Sequence, residues 1–144
     1  MITLAILKQI TDDGVAELEL DKNAFWEQAP LQKDGKPASG VWVITRGGDA
    51  SNSPRGFNLK TTIDFYVAYA NKPKAEKVHQ DILTWLITNP CLCELAGSVG
   101  GTSYEFSNVR VRPTTTPQNV MITENDLVVK IASASLVYDI NLND

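Results

Sequence analysis

Leu59-Lys60-Thr61-Thr62-Ile63-Asp64-Phe65-Tyr66-Val67-Ala68-Tyr69-Ala70 is the stretch on which the fold turns. Leu59, Thr61, Ile63, Phe65, Val67 and Tyr69 form one alternating set, and Lys60, Thr62, Asp64, Tyr66, Ala68 and Ala70 form the other. Successive side chains of a strand point to opposite faces, so a period of two sorts them onto two sides of a sheet. The first set is the apolar one. The pattern predicts a strand that lays one face on a core and turns the other toward solvent or a neighbouring molecule.

Directly downstream the period changes. Over residues 73–88, Ala75, Val78, Ile82, Trp85 and Leu86 make a stripe of helical spacing, backed by Lys74, Glu76, Lys77, Gln80 and Asp81. Asn71 is placed to cap this helix, Pro73 suits its first turn, and Pro90 stops it. Upstream, Val41-Trp42-Val43-Ile44-Thr45 is β-branched and aromatic, and reads as a second strand. Between the two strands, residues 46–58 have loop composition, from Arg46-Gly47-Gly48-Asp49 to Pro54-Arg55-Gly56-Phe57. Hairpin connections normally need only about two to five residues, so this segment is expected to be a long, mobile connection.

Farther out the pattern is coarser. Ile2, Ile6 and Ile10, widened by Leu4 and Leu7, predict a helix over 2–13 that Gly14 ends. Ala24-Phe25-Trp26 fits a short strand, and residues 27–40 read as loop. After Pro90 a short connection rich in glycine (Gly97, Gly100, Gly101) leads to a strand marked by Tyr104, Phe106, Val109 and Val111, with a break near Ser107-Asn108 that fits a bulge. Glu124-Asn125-Asp126 reads as a turn before a last strand over 127–140. The order helix, strands, helix, strands predicts one α+β domain over 1–144, an antiparallel sheet with two helices on one face.

Composition narrows the function. Lys and Arg total 13 against 17 Asp and Glu, a net charge of −4. Affinity for nucleic acid comes largely from cations that neutralise phosphates, and this balance lacks the surplus. No long apolar run or basic leader is visible, so neither a membrane span nor a signal peptide is expected. Cys91 and Cys93 do not form a secreted disulfide pattern, and reduced thiols in a cytoplasm are the simpler reading.

Candidate chemistry is thin. Cys91-Leu92-Cys93 could suggest zinc, but a structural site needs four ligands and His79 is the one histidine. The better reading is a pair of partly buried small residues at the end of a helix. His79 lies at the margin of the helix stripe, fits a surface or boundary position, and has no partner that would make a nucleophile–base pair. Gly47-Gly48-Asp49 lacks the Gly-Lys-Ser/Thr ending of a phosphate loop. Phe65 and Tyr69 have core spacing, which leaves Tyr66 as the one outward aromatic on the strand for stacking a base. No enzyme, metal or cofactor is expected.

A resemblance adds what periodicity does not. Val41-Trp42-Val43-Ile44-Thr45-Arg46-Gly47-Gly48, the Ser53-Pro54-Arg55 loop, the strand ending Ile63-Asp64-Phe65-Tyr66-Val67 and the helix that follows at once are similar to the heart of the bacteriophage tail terminator family. The N-terminal helix ending at Gly14, and Pro117-Gln118 ahead of the final strand, fit the same pattern. About a third of the chain carries recognisable residues, and the rest is likeness of architecture.

The resemblance implies a ring, a hexamer in that family, seated on the last ring of the tail tube protein. Such a ring stops tube polymerisation and offers its other surface to a head-completion or connector protein. DNA passes through the lumen without specific binding, and the protein belongs to the tail or neck of the virion after assembly in host cytoplasm. Arg46, Asp49 and Arg55, with Phe57 and Tyr66, are the expected assembly contacts, the charged ones as ion pairs between subunits. The alternatives are a connector of the neck and, from another class, a small nucleic-acid-binding sheet domain.

Overall fold

Local chemistry sets the start of the second helix. In the computed structural model, which describes residues 2–27, 39–53, 56–114, 121–122 and 127–140, α1 spans Ile2–Asp12 and α2 spans Lys72–Thr88. The Asn71 side chain accepts the Lys74 backbone N–H, as an N-cap should, and Pro73 sits in the first turn. A single 3-10 turn, Val15–Glu17, follows α1.

The strands are β1 (Ala24–Trp26), β2 (Gly40–Ser53), β3 (Gly56–Tyr69), β4 (Cys91–Val99), β5 (Thr102–Thr114), β6 (Met121–Ile122) and β7 (Val128–Ile140). Their order in the sheet is β1-β2-β3-β7-β5-β4, with β6 also on β7. β1 runs parallel to β2, and the other pairings are antiparallel. The chain is thus α+β with a mostly antiparallel sheet. α1 touches β1 and β2 near one end of that order and β4 and β5 at the other, which requires the sheet to curl.

The alternation in β3 appears as read. Ile63, Phe65 and Val67 are fully buried and Tyr69 nearly so. They share one core cluster with Ile6, Leu7 and Ile10 of α1, Ile82, Trp85 and Leu86 of α2, and Ala132, Ala134 and Leu136 of β7. Burying a side chain such as Phe65 contributes about 1.5–3 kcal/mol, so this cluster is the main source of stability.

Two expectations are corrected. The long connection at 46–58 is mostly strand: β2 runs to Ser53, β3 starts at Gly56, and Ser53 pairs with Gly56. Glycine and asparagine weaken strands locally, but each residue from Gly47 to Ser53 has a backbone partner on the other arm, and the ladder overrides composition. Likewise residues 91–99 form β4 rather than connection, and only Gly100 and Gly101 turn the chain. Both have positive φ, 58° and 82°, the pattern of a type I′ hairpin that glycine adopts without steric cost. The bulge near Ser107-Asn108 is present as a register shift against β7. Pro54, Arg55, Pro117-Gln118 and the turn at Glu124-Asn125-Asp126 lie outside the described residues, as does most of the 27–40 loop.

Candidate functional site

The alternation that buries Phe65 turns Asp64 and Tyr66 to the other face of β3, and on that face most of the sheet's polar chemistry collects. It is not simply solvated. Trp42 and Tyr66 are cross-strand partners with ring centroids 5.5 Å apart and planes 3° from parallel. Together with Ala68, Leu127 and Val129 they make a second apolar cluster.

One position along, Asp64 is 6% exposed. Ser133, its register partner on β7, donates a hydroxyl hydrogen bond to Oδ1 at 2.5 Å, and Arg46 Nε lies 3.1 Å from Oδ2 in an ion pair. A buried carboxylate is costly unless it is paired and hydrogen-bonded, and these two groups supply both. Arg46 is the extra residue where the β2–β3 register shifts between Thr45 and Gly47. Such a bulge re-aims a side chain, and here it accompanies the reach of Arg46 to Asp64.

Beyond this pair the face carries three cations, with Asp139 of β7 on the same side. Lys60 pairs with Val137, which pairs with Arg110, so the two cations share a row across three strands, roughly 10 Å apart. Arg112 follows two residues along β5. All three are exposed and form no ion pair among the described residues.

The margin of the sheet at β1 has the opposite charge. Asp21 and Glu27, both exposed, hold left-handed backbone conformations with φ of 66° and 68°. Between them in sequence Trp26 is 39% exposed, one of two exposed large hydrophobic side chains among the described residues, with Ile87.

Of the expected assembly residues, Arg46 and Tyr66 come together on the face just described. Asp49 pairs with Lys60 and Phe57 with Asn52 through the backbone ladder, but the side chains of Asp49 and Phe57, and the whole of Arg55, lie outside the described residues. Asp64 and Trp42 were missed as members of the site. The available signal was an acid in the middle of a strongly apolar strand, which demands a partner.

Two further readings are corrected. Cys91 and Cys93 stand exposed on β4, not partly buried at a helix end. Leu92 and Leu95 both reach the core cluster, so the alternation slips between them and the cysteines fall outside. His79 is buried rather than at the surface, and its Nε2–H donates to the Ile131 carbonyl at 3.1 Å. It borders a shallow open depression with Glu76, Gln80, Leu83 and Lys130, where Lys130 Nζ lies 3.6 Å from Glu76 Oε1.

Among the described residues no group of three or more His, Cys, Asp or Glu side chains is arranged to hold a metal ion, and no helix is long and apolar enough to cross a membrane. The face thus combines stacked aromatics, a paired buried acid and exposed cations, with exposed carboxylates on a separate part of the sheet. No protein-family model matches the chain, and no curated protein matches it in sequence.

Proposed function

We propose that this protein is a structural subunit that closes the tail tube of a long-tailed bacteriophage as a ring, ends tube growth and offers a docking surface to the neck. The observation that carries the reading is the order of elements around the segment of resemblance. The β2–β3 hairpin, Gly40–Tyr69, is followed at once by α2, Lys72–Thr88, and the last strand returns to lie beside β3. In this reading both helices lie on one face of the sheet, which leaves the Tyr66 face and the sheet margins for neighbours. A heterologous ring requires two unlike patches on each subunit, and oppositely charged parts of one sheet suit that requirement.

A connector of the neck is the second reading, since it would use the same fold toward the portal side. Deleting the gene from the phage separates the two. Overlong tubes indicate a terminator, and tails of normal length that fail to join heads indicate a connector. Normal infectious particles would exclude both.

A further inference from the structure

We propose that the cationic stretch of the Tyr66 face, Lys60, Arg110 and Arg112, receives the β1 margin of a second copy of this chain, with Trp26 as the anchor and Asp21 and Glu27 as the charged partners. The proposal rests on the ring reading above and names the interface that would close the ring.

The occupant follows from charge and placement. A chain of net charge −4 has three exposed cations on β3 and β5 that form no ion pair among the described residues, although Asp139 shares their face and Asp49, whose side chain lies outside the described residues, is the register partner of Lys60. Flanking the first strand of the same sheet it exposes two carboxylates that form no ion pair among the described residues, beside a tryptophan that is 39% exposed. Asp21 and Glu27 flank β1, whereas the cations lie on β3 and β5, and among the described residues neither carboxylate forms an ion pair with any of the three. One copy's margin meeting another's face is a head-to-tail contact, and it repeats until the rotation closes. Exposed tryptophan is the residue type most enriched at the energetic centres of interfaces, and opposite charges around it set orientation.

The test uses charge exchange in the full-length chain. One variant carries Arg110→Glu and Arg112→Glu, and the other carries Asp21→Lys and Glu27→Lys. All four positions are exposed, so circular dichroism and thermal unfolding should match the parent. Sedimentation at low salt is expected to show the parent chain self-associating and each variant alone weakened by at least about tenfold. Mixing the two variants restores association, because every contact in an alternating ring again joins opposite charges. The neutral pair Arg110→Gln and Arg112→Gln should fall between parent and reversal. A monomeric parent at low salt would overturn the proposal, as would variants that associate like the parent or a mixture that stays dissociated. Duplex DNA bound by a parent that does not self-associate, with binding lost on Arg110→Glu and Arg112→Glu, would overturn it in favour of a nucleic-acid face. The reversed variants also distinguish this interface from the reading beneath it. If they still halt tube growth, the interface is wrong and the terminator reading stands; if the parent cannot halt growth, that reading fails whatever the charges do.

Discussion

Arg46 Nε lies 3.1 Å from Asp64 Oδ2, and this contact joins the bulged part of β2 to the middle of β3. The carboxylate belongs to a side chain only 9% exposed, whereas the Arg46 side chain is 55% exposed. The two partners are therefore unequal: removing the guanidinium strands a buried charge, but removing the carboxylate frees a cation that water already solvates.

That asymmetry is measurable. Arg46→Gln and Ser133→Ala are each expected to cost about 1–3 kcal/mol of stability in urea denaturation, because each leaves Asp64 short of a partner. Replacing both Asp64 and Arg46 with apolar residues of similar size should cost less than the sum of the single changes. Additive costs would show that the pair does not act as a unit.

The Trp42–Tyr66 stack should appear as a coupling. A double-mutant cycle with Trp42→Ala and Tyr66→Ala is expected to yield about 0.5–1.5 kcal/mol of interaction energy, the range of buried aromatic pairs. Zero coupling would mean that the rings are only neighbours.

Gly40 opens β2 with a φ of 145°, and a Cβ there would lie 2.6 Å from the Asn23 backbone oxygen. Gly40→Ala is therefore expected to destabilise the chain by about 2–3 kcal/mol, through strain and displacement of the β1 approach. Thermal unfolding of the variant checks this, and an unchanged midpoint would contradict it.

Burial raises the Tyr69 phenol above its ordinary value of 10.0. The folded chain thus holds this proton more tightly than the unfolded chain. The contribution to stability is complete below the ordinary value and is lost as pH rises through the folded-state value. Tyr69→Phe keeps the ring under Lys74, whose Nζ is 4.8 Å from the centroid, and should flatten the alkaline loss of stability in denaturation at stepped pH.

The parts of the fold legible in the sequence are those where periodicity and capping agree. Ile6 and Ile10 of α1, the stripe from Ala75 to Leu86 and the Ile63–Phe65–Val67 alternation all report burial directly. Where the reading fell short, the deciding partner lay far along the chain. Gly47 and Gly48 lie in a strand because Thr62 and Thr61 pair with them. His79 is buried because the Ile131 carbonyl meets its ring from β7. Cys91 and Cys93 are exposed because the inward positions slip from Leu92 to Leu95. For the site, Arg46 and Tyr66 could be chosen for charge and outward direction, but Asp64 acquires its meaning only when Ser133 is placed opposite it.

The claim on which the account depends is that the subunit ends the growth of a tube. The direct measurement is the length distribution, by electron microscopy, of tubes polymerised from the cognate tail tube protein with and without this chain. Lengths are expected to fall as the chain is added, with extra density at one tube end. Equal lengths and bare ends at every ratio would contradict it.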